Sequence, residues 1–411
     1  MENQDILPHL FKTEYRKIIS VLIRFLGLEN IEIAEDIVSD TFLLAAETWG
    51  IKGLPRNPPA WLSTVARNKT RDYLRRNMHF SLKVKGEFVY STDWVENLDL
   101  DMSEKNIEDS TLSMMFALSH PSISRDSQIA LSLNILCGFG AEEIASAFLT
   151  NKEVIYKRIH RAKEKLRIEN IQLQGLESKV LMARLPSVLT TLYLLFNEGY
   201  YSVSSKSPIR RDLCFEALRL NQMLVNNVYT RTPEVYALMA IMCFHSSRLN
   251  ARTDRFGGAI LYEDQNQDLW DTHLIEMGDY YLFQSAWNET VSKYHLEASI
   301  AYYHSRKEIT LDKWKIILQL YEKLLQLEYS PLVVLNLIYV KYKVFGPMEA
   351  LVQLEDFSLA PSFQYYSLLG ILHSDLNKDM ALYYYEMAYP LAKSEADRNT
   401  ILKKLNFLGT P

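Results

Sequence analysis

Apolar residues recur at helical spacing through most of the chain, and the breaks in that rhythm mark its elements. Residues 9–28 (HLFKTEYRKIISVLIRFLGL) place Leu10, Tyr15, Ile18, Ile19, Leu22 and Phe25 on one face, which predicts a first amphipathic helix. In the next segment, IEIAEDIVSDTFLLAAETW, Ala34, Ile37, Val38, Thr41, Phe42 and Ala45 form a second apolar stripe. Glu32, Asp36, Asp40 and Glu47 fall opposite it, so that helix has one anionic face. The stretch GIKGLPRNPP, with Gly50, Gly53 and three prolines, is predicted to stop it. AWLSTVARNKTRDYLRR then restarts a helix that ends near Arg76.

Residues 80–112 lose the helical period and predict an extended linker. From Leu112 the period returns. Glu142–Phe148, then Leu149-Thr150-Asn151, then Lys152–Leu166 have the order of a helix-turn-helix. Thr150 and Glu153 are spaced for a capping box, with Asn151 as the competing cap. Ile155, Ile159, Ala162 and Leu166 face inward, and Lys152, Tyr156, Lys157, Arg158, His160, Arg161 and Lys163 take the rest of the circumference. After Gly175 the chain becomes rich in Tyr and Leu. Segments starting near Tyr294, Leu332 and Ser362 each read as a helix pair, and in the last of them Leu369, Gly370 and His373 precede Ala381, Tyr385 and Ala388. That small/large alternation resembles a degenerate tetratricopeptide repeat (TPR). The predicted fold class is all-α, with two small helical domains, an acidic linker between them, and a helical-hairpin C-terminal half.

Charge sharpens this division. The net charge of -5 conceals two basic islands. Nine basic residues and only Asp72 on the acidic side lie between Lys52 and Lys85, and seven basic residues face Glu153 and Glu164 between Lys152 and Arg167. Between them the sign reverses, with eight acidic residues against Lys105 from Glu87 to Asp109. A weakly acidic chain with two basic helices fits contact with nucleic acid at chosen places. The absence of Lys or Arg from Glu29 to Glu47 favours a cationic protein partner for the acidic helix.

Candidate chemistry adds little to that picture. The sequence has no phosphate-binding glycine loop, no HExxH, no paired CxxC and no nucleophile elbow, and its histidines do not cluster at metal-ligand spacing, so no catalytic residue, metal or cofactor is expected. Cys137, Cys214 and Cys243 sit in apolar helical patterns and read as buried free thiols. No N-terminal signal pattern occurs and runs such as VLTTLYLLF are short for a bilayer, so the chain is read as cytoplasmic. Trp49 and Trp61 flank the proline loop. Core packing is the ordinary reading for both, and support of a pocket for an unstacked base is the alternative for Trp61. Asn68 has the same two readings, as a backbone partner or as a reader of a base edge. NEGYY (Asn197–Tyr201) and the run holding Arg252, Asp254, Arg255, Glu263, Asp264, Gln265, Asp268 and Asp271 suit a structural polar network more than a ligand pocket.

AEDIVSDTFLLAAETW with PAWLSTVARNKTRDYLRR resembles the second domain of the extracytoplasmic-function group of sigma-70-type initiation factors. GFGAEEIASAFLTNKEVIYKRIHRAKEKLR is similar to the fourth-domain helix-turn-helix of that group. LYLLFNEGYYSVSS, RRDLCFEALRL, PEVYALMAIMCFHSSRLNARTD and QDLWDTHLIEMG resemble the long C-terminal extension of one subgroup. The resemblance implies a second domain over 1–79, an acidic linker over 80–111, a fourth domain over 112–172, a family-specific helical domain over 173–290 and TPR-like repeats over 291–411. It implies that Glu35, Asp36 and Asp40 dock on core RNA polymerase. Arg56, Asn57, Trp61, Arg67, Asn68, Arg71, Arg75 and Arg76 would then meet the −10 promoter element and capture a flipped base. Lys152, Tyr156, Lys157, Arg158, His160 and Arg161 would read −35 DNA in the major groove. The implied partners are core polymerase, promoter DNA, and a protein or ligand for the C-terminal helices, with no membrane. The alternative is a DNA-binding transcriptional regulator with a TPR-like interaction domain that never engages polymerase.

Overall fold

A computed structural model describes residues 6–85, 99–147, 150–169, 171, 173, 178–200, 210–253, 260, 262–287, 290–308, 310–392 and 395–409. Among these the chain is helical with no strand, as the sequence predicts. It divides into two compact units, residues 1–191 and 192–411.

In the first unit, α1 (Ile6–Leu26), α2 (Ile31–Lys52) and α3 (Pro58–Lys85) pack together. The stripe predicted for α2 is its buried face, joined by Ile31 and Trp49. Gly50 does not end α2. The helix runs through it to Gly53, whose φ of 75° is left-handed and whose N–H donates to the Trp49 carbonyl at 3.0 Å. Pro58 and Pro59 lie in the first turn of α3 rather than in the loop, where a missing N–H costs nothing. Asn57 caps that turn, its Oδ1 accepting from the Ala60 N–H at 3.1 Å. α3 continues past Arg76 to Lys85.

Helix occupies both ends of the span expected to be linker over 80–111, at 80–85 and from Glu104 onward. Residues 86–98 lie outside the described part, and α4 (Glu104–Leu118) already begins within the acidic stretch, with Ser103 accepting from the Asn106 N–H. α4 packs on α1 and explains a feature that the first-helix pattern did not contain. Ile18, Ile19, Ser20, Val21, Leu22 and Ile23 are all at most 3% exposed, which covers every direction around α1. One face meets α2 and α3; the rest is closed by α4 and the π-turn at Ser132–Leu136. α5 (Arg125–Leu131) runs into that π-turn at Ser132–Leu136, and Gly138 (φ 71°) turns the chain into α6 (Ala141–Ala147). α7 (Lys152–Ile168) follows, capped by Asn151, whose side chain accepts from the Val154 N–H at 2.9 Å. Asn151, not Thr150, therefore fixes its start; Phe148, the predicted end of the preceding helix, and Leu149 of the predicted turn are outside the described residues.

α8 (Ser178–Tyr200) is longer than the apolar run expected there. Among the described residues it is the one helix long and apolar enough to cross a membrane, with Leu185, Val188, Leu189, Leu192, Leu195 and Phe196 buried inside the protein. In the second unit, α9 (Arg211–Asn226), α11 (Thr272–Ser285) and α12 (Lys293–His304) surround α10 (Pro233–Ser246). α10 is apolar all round and buried all round, from Ala237 to Phe244. Consecutive hairpins follow: α12 with α13 (Leu311–Leu327), α14 (Pro331–Phe345) with α15 (Pro347–Glu355), and α16 (Phe363–Ser374) with α17 (Lys378–Ala388), closed by α18 (Glu395–Gly409). Gly370 on α16 is the small partner of Tyr385 on α17, since a Cβ there would lie 2.6 Å from the tyrosine ring. All three cysteines are free and buried, and burial pushes the Cys214 and Cys243 thiols up to about 12.

Candidate nucleic-acid interface

Two basic surfaces stand in the first unit, and helical register explains both. On α3, Leu62, Ala66, Thr70 and Leu74 form the buried stripe, none above 4% exposed. Trp61, Asn68 and Arg75 fall on the opposite side, flanked by Arg71 and Arg76, with Asn68, Arg75 and Arg76 exposed. Trp61 is half-buried, its ring 5.3 Å from that of Trp49 in an edge arrangement. This pair ties the end of α2 to the start of α3 across the short loop that exposes Arg56. Arg67 borders the buried stripe and pairs with Asp99 at 3.1 Å, and Arg75 approaches Asp72 at 3.7 Å. Asn57 is occupied in capping, so its side chain serves the backbone.

The acidic edge of α2 lies beside this surface. Asp36 and Asp40 are exposed, and Lys69 of α3 reaches Asp40 at 3.2 Å. Glu35 is placed differently from its two neighbours. Its carboxylate is half-buried and held by Lys163 of α7 at 2.5 Å. Burial pushes the Glu35 carboxyl above its usual range, while the lysine charge and hydrogen bond pull it back.

On α7, Ile155, Ile159, Ala162 and Leu166 are buried, as their spacing predicts. Lys152, Tyr156, Lys157, His160 and Arg161 are exposed, and Tyr156 keeps 59% of its surface open. Arg158 lies beside the buried stripe and meets Asp126 of α5 at 3.3 Å. Lys152 pairs with Glu142 across the turn at 3.0 Å, and the His160 ring stands 3.9 Å from Glu32 of α2. Lys163, Lys69 and Asp99 were given no site role from sequence. Their roles depend on acids or bases that arrive from elsewhere in the chain, and no local pattern marks them.

Among the described residues, the polar side chains noted in the C-terminal half do not converge on one site. Arg252 lays its guanidinium 3.7 Å over the Tyr200 ring and donates to the Tyr200 carbonyl at 3.1 Å. Arg248, 7% exposed, donates to the Tyr200 hydroxyl at 3.0 Å. Glu263 instead meets Lys343 at 2.5 Å and the Tyr339 hydroxyl at 2.8 Å. Asp271 caps α11, and Asp268 meets Lys307 at 3.4 Å on the surface. Asp254, Arg255 and Tyr201 are outside the described residues. In NEGYY, Gly199 has a packing reason, because a Cβ there would lie 2.8 Å from the Arg210 carbonyl oxygen and the Cys214 nitrogen.

Comparison with known proteins bears on both halves. Residues 10–80 match the model of sigma-70 region 2, and residues 184–286 match a family of unknown function (DUF6596). An uncharacterised protein of Rhizobium meliloti (strain 1021) is 31% identical over 385 residues, covering 92% of this chain and 91% of its own length. No solved structure matches the chain. The chain belongs to the family of that Rhizobium protein, and with sigma-70 region 2 at its N-terminus, ahead of a helical C-terminal half, it is a sigma-70-family factor.

Proposed function

We propose that the chain is a sigma factor of the extracytoplasmic-function type, which carries core RNA polymerase to a promoter and helps to open it. The observation that carries this reading is the arrangement inside the region 2 match. There the exposed arc of α3 bears Trp61, Asn68, Arg71, Arg75 and Arg76, next to the acidic edge with Asp36 and Asp40. Unstacking a base costs a few kcal/mol, and an aromatic at the corner with cations along the helix supplies that kind of compensation. The exposed arc of α7 suits the major groove, with Lys152 and Tyr156 nearest the bases because they lie at its N-terminal end. The role is one of binding rather than catalysis, in the cytoplasm where polymerase works. The C-terminal hairpins supply a surface for a regulatory protein or ligand.

Purified full-length protein added to core polymerase is expected to direct transcription from a defined start site on a cognate promoter. Absence of core binding together with failure on every candidate promoter defeats the reading. One observation favours the alternative of a regulator that does not engage polymerase: Glu35, a candidate docking residue, is already covered by α7. Gel filtration separates the two, because a sigma factor co-elutes with core as one copy and a dimeric regulator elutes without it.

A further inference from the structure

The second unit encloses two cations whose neighbours do not neutralise them. Arg248, just past the end of α10, and Lys313, in the first turn of α13, are 7% and 6% exposed. Both approach Tyr262. The Arg248 guanidinium lies 5.2 Å from the centre of its ring, and the Lys313 ammonium donates to its hydroxyl at 3.4 Å. That hydroxyl donates to the His304 carbonyl at 2.9 Å, and the His304 ring packs edge-on against the tyrosine at 5.0 Å. Arg248 uses Nη2, which donates to the Tyr200 hydroxyl and meets the His245 Nδ1 at 3.3 Å. Lys313 also donates to the Arg306 and Glu308 carbonyls at 3.0 and 3.1 Å. All of these partners are neutral. Among the described residues no carboxylate stands within ion-pair distance of either cation, and Glu263 is turned to Lys343 and the Tyr339 hydroxyl. The two charges act on their surroundings: burial and Arg248 push Lys313 down to about 8, and burial, Arg248 and Lys313 do the same to His304.

A second, independent feature lies in the same place. The Trp270 Nε1, on a ring 6.3 Å from that of Tyr262, and the His304 Nδ1 are buried with no hydrogen-bond partner among the described residues. Buried polar groups are nearly always hydrogen-bonded, so orphaned ones beside two unneutralised cations suit a ligand that is anionic and accepts hydrogen bonds. We propose that Arg248, Lys313, Trp270 and His304 form, around Tyr262, a binding site for a phosphate group. Charge selects the class. A carboxylate would balance one cation of the two, whereas a phosphate group carries about −1.5 to −2 at neutral pH and has three acceptor oxygens. The Nε and Nη1 of Arg248 make no hydrogen bond among the described residues and are the direct donors, while Lys313, already bonded to carbonyls, supplies charge. Tyr262 and His304 are partly exposed, which gives a small ligand its way in. The site is independent of the sigma-factor reading.

The test titrates the full chain with inorganic phosphate and with glycerol 3-phosphate, in calorimetric cells matched for ionic strength with potassium chloride. Saturable binding is expected, with a melting temperature that rises with ligand concentration. Tighter binding of the monoester marks a phosphorylated small molecule as the ligand, and tighter binding of inorganic phosphate marks the free ion. Arg248→Gln keeps a donor for the Tyr200 hydroxyl and is expected to weaken binding by at least about tenfold. Where that variant does not fold, Trp270→Phe removes a donor that has no hydrogen bond to lose, and is expected to weaken binding by about threefold. Binding that a folded variant leaves unchanged places the ion among the surface cations and overturns the site. No binding, and no stabilisation beyond that of chloride, overturns it as well.

Discussion

In the first unit, charged side chains meet at the surface across long stretches of sequence; in the second, several are sunk among aromatic rings. Asp40 and Lys69, Asp99 and Arg67, and Asp126 and Arg158 are pairs with at least one side chain more than half exposed. Such pairs contribute about 0–1 kcal/mol each and can be exchanged for another partner at little cost. Arg248, Arg252, Tyr200, Tyr262 and His304 in the second unit hold one another through hydrogen bonds and ring contacts. Burial and the neighbouring cations Arg248 and Lys313 drive His304 down to about 3, so it is neutral at any ordinary pH. The contrast separates charge exposed to solvent from charge enclosed by the protein.

That contrast is open to attack, most strongly in the second unit. Gly199→Ala drives a methyl group into the backbone of Arg210 and Cys214, which cannot yield as a flexible side chain would. A loss of about 3 kcal/mol is expected, at the upper end of ordinary overpacking, and chemical denaturation measures it. Glu297 gives a pH-dependent version. Burial raises its carboxyl to about 7, against the opposing pull of the Tyr193 hydrogen bond and Lys293. A raised carboxyl favours the folded state below its unfolded value and loses that contribution as pH rises toward 7. Glu297→Gln should accordingly gain on wild type between about pH 4.5 and 7 and hold the gain above, by as much as about 3 kcal/mol. Parallel denaturation curves at each pH would show it, and a difference independent of pH would move Glu297 out of the interior network.

The smallest expected effect lies in the first unit and concerns binding alone. Arg161 is exposed on α7, whereas Arg158 is turned toward Asp126. Arg161→Ala is expected to lower the salt slope of −35 DNA binding by about one unit. Arg158→Ala should change it little, and neither should alter stability measurably. Equal slopes for the two variants would mean that both, or neither, touch phosphate.

Much of this was legible in the sequence because helical period is local. The stripes of α2 and α7 follow from spacing alone, and so do the exposed arcs opposite them. What closes the other side of α1 could not be read in the same way, since α4 comes from about eighty residues further on. Gly50 and Asn151 show a second limit. A glycine within a helix costs about 1 kcal/mol, which packing through Trp49 and Ala45 outweighs, so α2 ends three residues later at Gly53. Thr150 and Asn151 both carry a capping oxygen, and only the backbone path into α7 decides between them. The pairing of Glu35 with Lys163 is the extreme case, because each residue looks like one more charge on its own helix.

The central claim is that the acidic edge of α2 docks on core RNA polymerase, and charge reversal at its two exposed residues tests it most directly. Asp36→Arg with Asp40→Arg removes no buried group, so the folded helical content and melting temperature should stay close to those of wild type. Co-purification with core polymerase is then the measurement. The account predicts that the double variant loses core binding by at least about tenfold, and transcription with it. Undiminished co-purification by a folded double variant would contradict it.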